Sequence, residues 1–520
     1  MTIFGIWGDN MVKFKVLKKL YEYSTLKKEE NVVYLVEDGW DDMFQYSTMY
    51  NVYFYNSRLE ECIIGSVKIA QYEMDKENKR RAVLPDEFIR LNNKFFSLGQ
   101  DSYYYENIKN LGTEVREEIF GALRDIAYDI NIFRKAYLEN VTRVSLMREV
   151  DKQTVLTQFH RISQGGPRLV PYKFNYESYS NDSLTRTIKL EFDVNPDLLL
   201  PSNIHVLIGR NGVGKTFLIN NMISSIVFKG KKYEEKYGKT VFVDDKIHNE
   251  SFTKVILVSF SAFDEIKIDS RSMMFSRIGL PSRRNQNMDD RNEEITVKFI
   301  EGFKRCIEKK CNSLLLTTMK ELEYDSIFEE AGLEQYCEYR KFSQEDEENL
   351  MKIFGRLSSG HKVIVYAITQ LISKVQEKTL IFLDEPEGHL HPPLLAAFIR
   401  ALSVLLTETN GAAIIATHSP IILQEVPDSC VWVLQRNGRE CLARRPRIKT
   451  FGQDINSLTS EIFGLELSES GFHKLLSKVV NKYDDYDTAI KELNNSLGNE
   501  GRAVLRTMFV LRAMRNGSNG

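Results

Sequence analysis

Paired cysteines are missing from this sequence. Its six cysteines (Cys62, Cys306, Cys311, Cys337, Cys430 and Cys441) are scattered, with no CxxC pair. Reduced, buried thiols are expected instead of a zinc cluster. Long apolar runs are missing too: none approaches the roughly 18 residues of a membrane span, so no membrane partner is expected. The opening MTIFGIWGDN lacks a basic segment followed by an apolar core, which points to a cytoplasmic protein without a signal peptide. Charge of one sign is absent, with 70 Lys and Arg against 72 Asp and Glu. No global basic field marks a nucleic-acid binder, although a local patch stays open. Sustained heptads are absent, which excludes a long coiled-coil arm. What remains is a 520-residue chain, 42% apolar and 27% charged. That is enough for two or more domains with full cores.

Residues 1–165 read as an α+β accessory region. Val32–Val36, Val52–Tyr55 and Ile63–Tyr72 have strand character. Leu84–Gly99 reads as a helix closed by glycine, and Thr113 as the cap of another helix with Ile119, Leu123, Ile126 and Ala127 on one face. The acidic VEDGWDD (Val36–Asp42) resembles the start of a metal-dependent nuclease domain. Further carboxylates on nearby strand ends are not in evidence, so it reads as a solvated turn. Tyr103, Tyr104 and Tyr105 read as packing residues in preference to a base-stacking platform.

From Tyr172 the pattern changes. Tyr172, Phe174 and Tyr176, then Ile188, Leu190, Phe192 and Val194, alternate with polar residues as two half-buried strands. Asn203–Gly209 is an apolar strand, and Gly209–Thr216 (GRNGVGKT) turns it into a helix. This is the GxxxxGK[ST] phosphate loop in its required strand–helix setting. Gly209, Arg210, Asn211, Gly212, Val213 and Gly214 supply the loop whose amides face phosphate. Lys215 reaches the β- and γ-phosphates and Thr216 offers a hydroxyl to Mg²⁺.

Three later motifs complete the pattern. Asp384 and Glu385 end the buried strand TLIFL; Asp384 is placed to hold Mg²⁺ and Glu385 to activate water. His418 follows the strand AAIIA and is read as a γ-phosphate and water contact. Ser358, Ser359 and Gly360 in LSSGHK form a second helix start suited to an anion. Apolar strands alternating with helices imply a doubly wound α/β core.

These four motifs, in this order, resemble those of the ATP-binding-cassette ATPases over about residues 170–440. The resemblance implies an ABC-type P-loop core, a mixed sheet with an antiparallel edge, a helical insertion, and ATP and Mg²⁺ as cofactors. It also implies a head-to-tail dimer, or a higher even oligomer, in which Ser358, Ser359 and Gly360 of one copy complete the site built on Lys215 of another. The family's usual glutamine after the strand near 254–261 is missing, and Ser259, Ser261 and Asp264 are candidate substitutes. EPEGHLHPP and ATHSP look like the SMC-, RecF- and OLD-type branch of DNA repair and phage defence; His389 and His391 invite a metal reading, but the resemblance implies that they fall in an inter-subunit loop, and the structural role is preferred. More narrowly, the chain is similar to the PtuA-type ATPases of Septu and related retron defence systems. That likeness implies a separate HNH-type nuclease partner and contact with DNA or RNA, including reverse-transcribed DNA in a retron. The alternative is a RecF-like ATPase that clamps DNA itself.

The expected division is residues 1–165 accessory, 166–228 first part of the core, 229–355 an insertion and helical subdomain including a core strand near 254–261, 356–440 second part of the core and 441–520 helical tail. Arg271, Arg277, Arg283, Arg284 and Arg291, and the run RRPRIK (Arg444–Lys449), are the candidate nucleic-acid contacts.

Overall fold

The computed structural model describes the chain outside residues 1–10, 43–44, 75–79, 180–186, 244–250, 261–273, 280–287, 309–310, 338–341, 438–439, 468–470, 494–495 and 518–520. It divides into two compact units. One is Met1–Val170 with Gln376–Lys378, and the other is Pro171–Val375 with Thr379–Gly520.

The first unit is built on a six-stranded sheet. Its strands are β1 (Lys13–Leu17), β2 (Val32–Glu37), β3 (Met49–Tyr55), β4 (Glu61–Gln71), β5 (Glu87–Phe88) and β6 (Phe95–Gly99), in the order β5-β1-β2-β3-β4-β6. Only β1 and β2 run parallel among these pairs. The helix read over Leu84–Gly99 is therefore β5 and β6. All five residues of β6 are buried, and a short apolar run covered on both faces carries no period to separate strand from helix. Thr113 is the first residue of the helix Thr113–Leu123, with Gly112 as its N-cap. Arg124, at φ +54°, ends that helix before Ile126.

The acidic stretch also differs from its reading. Asp42 is fully buried, 3.0 Å from the Lys68 ammonium, which is buried as well. Ser145 Oγ donates to Asp42 at 2.6 Å and Trp40 Nε1 at 2.9 Å. Burial lowers the Lys68 pKa, and the Asp42 charge opposes that shift. A paired internal charge, not a solvated turn, ends this segment. Tyr104 and Tyr105 are core residues, as expected, whereas Tyr103 is exposed, with the Arg168 guanidinium 5.0 Å from its ring centroid.

The second unit adds β7 (Tyr172–Glu177), β8 (Lys189–Val194), β9 (Ile204–Ile208), β10 (Lys239–Val243), β11 (Lys254–Ser259), β12 (Phe275–Gly279), β13 (Thr379–Asp384), β14 (Ala412–Thr417), β15 (Val431–Asn437) and β16 (Glu440–Arg444). Seven of them form a mixed sheet in the order β12-β11-β13-β14-β9-β15-β16, parallel except for the β15–β16 edge pair. The two alternating strands β7 and β8 pair antiparallel and, with β10, form a separate three-stranded sheet. Every residue of β9, β13 and β14 is buried, because both sheet faces are covered. Ile204, Val206, Ile208, Leu383 and Ile415 share one core with the helices Met288–Glu308, Ser359–Ile372 and Pro392–Glu408. Leu207, Phe382 and Ile414 face the other core, with the helix Lys215–Val227 and the three-stranded sheet. This is a doubly wound α/β fold with a mixed sheet, an antiparallel edge and the phosphate loop at the end of its buried strand β9. The last three helices, from Gly471 to Gly517, share a small core around Leu476, Ile490 and Leu505. Among the described residues no helix is long and apolar enough to cross a membrane.

Candidate active site

The phosphate loop leaves the buried strand β9 and enters the helix Lys215–Val227. Gly209 is required by crowding, since a Cβ there would lie 2.5 Å from the Leu434 carbonyl oxygen. Gly212 and Gly214 are required by conformation, at φ +79° and +104°, and face open space. Arg210 and Asn211 are exposed, Val213 is buried and Thr216 is half-buried. Lys215 is nearly buried, and its Nζ donates to the carbonyls of Gly209 (3.1 Å) and Arg210 (3.2 Å). The same Nζ lies 3.6 Å from Glu385 Oε1. Arg436, outside every motif, donates to the Gly212 carbonyl at 3.3 Å.

Asp384, at the buried end of β13, pairs in register with Ser259 of β11 on one side and Ala416 of β14 on the other. Glu385 leaves the sheet at φ +45°, a left-handed conformation rare for a side chain of this kind, and its N–H donates to the Ala416 carbonyl at 2.9 Å. Its carboxylate stays half-exposed beside Lys215 and lies 3.7 Å from His418 Nδ1. Lys215, Glu385 and His418, from three sequence motifs, thus converge at one end of the sheet.

A fourth residue holds this cluster and was not singled out from sequence. Glu387 Oε1 accepts from Thr417 Oγ1 (2.5 Å) and from the His418 N–H (2.8 Å), and lies 3.1 Å from His418 Nδ1. It therefore fixes both backbone and ring of the loop after β14. Its signal in the sequence is the second acid of EPEG, two residues after Glu385.

The LSSGHK segment starts the helix Ser359–Ile372, with Ser358 at the N-cap. Ser358 and Ser359 are exposed and Gly360 is buried. The Ser358 side chain makes no capping bond; its Oγ lies 2.6 Å from His361 Nδ1. Among the described residues, no hydrogen bond or ion pair joins Ser358, Ser359 or Gly360 to Lys215, Glu385 or His418.

Of the candidate glutamine substitutes, Ser259 is fully buried beside Asp384, while Ser261 and Asp264 lie outside the described residues. Arg271, Arg283 and Arg284 also lie outside them, as do the side chains of Arg291 and His389. Arg277 is exposed on β12. In RRPRIK, Arg444 pairs with Glu461 at 2.6 Å and Lys449 with Asp428 at 3.0 Å. Arg445 lies 3.7 Å over the Trp432 ring and donates to the Glu191 carbonyl. Arg444 and Arg445 serve the fold, while the Lys449 side chain is 87% exposed.

Residues 288–424 match a family described as "AAA domain, putative AbiEii toxin, Type IV TA system". The span includes Glu385, Glu387 and His418 and follows the phosphate loop. The Old nuclease of Escherichia phage P2 is 28% identical over 146 residues, covering 25% of this chain and 24% of that protein. Among solved structures, the ADP conformation of an ABC-transporter ATP-binding cassette gives a TM-score of 0.30 at 15% identity, covering 58% of this chain and 99% of that one. A nucleotide-free cassette gives 0.28 at 13% identity, covering 57% and 96%. Protein ea59 of Escherichia phage lambda is 34% identical over 507 residues, which is 93% of this chain and 96% of that protein. With identity sustained over nearly the whole of both chains, this protein belongs to the family of the lambda protein ea59.

Proposed function

We propose that this P-loop ATPase binds and hydrolyses Mg²⁺-ATP between two copies arranged head to tail, and so controls a separate effector nuclease in anti-phage defence, as the resemblance to the PtuA-type ATPases suggests. The observation that carries the nucleotide half is the convergence of Lys215, Glu385 and His418 on one end of the sheet. In this reading the loop amides and Lys215 hold the phosphates. Thr216 and Asp384 form an all-oxygen set suited to Mg²⁺, which would neutralise charge on the phosphates. Glu385 takes the proton of the attacking water, and His418, positioned by Glu387, orients that water. Ser358, Ser359 and Gly360, exposed at a helix start and unattached to their own Lys215, are available to a second copy.

Support for the nuclease link comes from the partial match to a phage protein named as a nuclease. Against the RecF-like alternative, Arg444 and Arg445 of the RRPRIK run are engaged within the chain. The test is co-expression with the HNH-type open reading frame nearest the gene. A stable complex, with DNA cleavage that changes on adding ATP, is expected. Purification of the chain alone, with nuclease activity indifferent to it, would sink the proposal.

A further inference from the structure

Asp325, His361 and His391 offer a carboxylate oxygen and two imidazole nitrogens that all lie within 4.8 Å of one another. They come from three elements. Asp325 caps the helix Ser326–Ala331, His361 is in the first turn of Ser359–Ile372, and His391 is the N-cap of Pro392–Glu408. His361 is 2% exposed, and its ring meets Phe328 edge-on with centroids 4.8 Å apart, so its direction is set by packing. Its Nε2 lies 3.3 Å from Asp325 Oδ1. Two ligands of a tetrahedral zinc ion stand about 3.4 Å apart, given the usual bond lengths. Its Nδ1 faces Ser358 Oγ at 2.6 Å. One ring nitrogen held by a neighbouring oxygen, with the other turned toward further donors, is the arrangement that orients a metal-bound histidine. The His391 side chain is exposed and makes no hydrogen bond among the described residues, and its ring centroid is 6.2 Å from that of His361. One of its ring nitrogens already lies within 4.8 Å of the other two donors, and the remaining coordination position falls to water.

We propose that Asp325, His361 and His391 bind a divalent transition-metal ion, zinc by their chemistry, tying the insertion, the LSSGHK helix and the segment after β13 together. Two imidazoles and one carboxylate select zinc and its neighbours over Mg²⁺ or Ca²⁺, which prefer all-oxygen sets. The site has a consequence for Ser358. A metal on Nε2 leaves the ring proton on Nδ1, where it is donated to Ser358 Oγ. The Ser358 hydroxyl hydrogen is then free to point outward from the helix start. Without the metal, a proton on Nε2 faces Asp325 and Ser358 donates to Nδ1, which removes that donor. The metal thus sets the hydrogen-bonding role of Ser358. This last step rests on the reading of Ser358 as a phosphate contact; the binding does not.

The test uses the full chain stripped with a chelator and titrated with Zn²⁺ alone, without nucleotide or Mg²⁺, against a competing zinc dye. A single strong equivalent is expected. His391→Ala, at an exposed position that leaves folding intact, weakens it by at least ~10-fold. His391→Cys retains binding and, loaded with Co²⁺, gains a sulfur-to-metal absorption band that the wild type lacks. Equal Zn²⁺ affinity in wild type and His391→Ala, no stoichiometric binding, or a sulfur band already present in the wild type would each overturn the site. Because the readout is metal held by nucleotide-free protein, its failure leaves the nucleotide reading intact, and failure of that reading leaves this measurement standing.

Discussion

Glu385 combines chemistry with strain. Its φ of +45° costs about 1–3 kcal/mol for a residue that is not glycine. That backbone turn carries the carboxylate to Lys215 and His418. Glu385→Gln keeps the shape and removes the proposed base, so turnover is expected to fall about 10²–10⁴-fold with ATP affinity retained, as single-turnover hydrolysis and a nucleotide titration would show. Unchanged turnover would remove Glu385 as the base. Glu387 separates positioning from chemistry. Glu387→Ala deletes two hydrogen bonds to the loop that carries His418. Bonds to a charged acceptor are worth about 1.5–3 kcal/mol each. A kcat loss of roughly 10-fold or more is therefore expected, with little change in nucleotide affinity. A change confined to affinity would mean that Glu387 acts on binding instead of on His418.

Among the elements, the strands that lead into motifs were legible, whereas β10, β12, β15 and β16 were not, and β16 occupies the start of the stretch read as a helical tail. β13 and β14 are continuous apolar runs and β9 is one but for His205, as a sheet covered on both faces uses, and each is followed by its motif. β6 failed the same test because no motif or period accompanied it. Asp42 was misread for a related reason: its partners, Lys68 and Ser145, are remote in sequence and only tertiary packing brings them together. Glu387 shows the limit within the site, since a motif names residue types and not the hydrogen bonds between loops. The Asp42–Lys68 pair gives a stability prediction. Asp42→Ala leaves a buried ammonium without its carboxylate and should cost about 3–5 kcal/mol in chemical denaturation, while Lys68→Met together with Asp42→Leu should cost far less. β9 supplies a pH dependence. His205 is fully buried there, and burial, aided by the Arg445 cation, lowers its pKa from 6.5 to about 3. The unfolded chain takes up this proton as pH falls through 6.5 and the native chain does not until about 3. Stability therefore falls with decreasing pH inside that window and is unaffected above it. The slope from this group is about 1.4 kcal/mol per pH unit, and His205→Phe should remove it in a series of melts.

At the scale of the whole molecule, the question is whether a complete site belongs to one chain. Ser358 and Lys215 share no bond within the chain, and a head-to-tail pair would bring Ser358 of each copy to Lys215 of the other. Such an interface, closed by a two-fold axis, makes two equivalent composite sites. Lys215→Ala destroys the phosphate half of a site and Ser358→Ala the signature half, so each variant alone should be inactive. Mixed, they form dimers in which one site carries both lesions and the other carries neither. Random pairing then restores about a quarter of wild-type turnover. A signature acting on its own chain's nucleotide gives no restoration, because each copy keeps its own defect. The mixture also controls for folding, since neither variant can regain activity unless the other supplies an intact half.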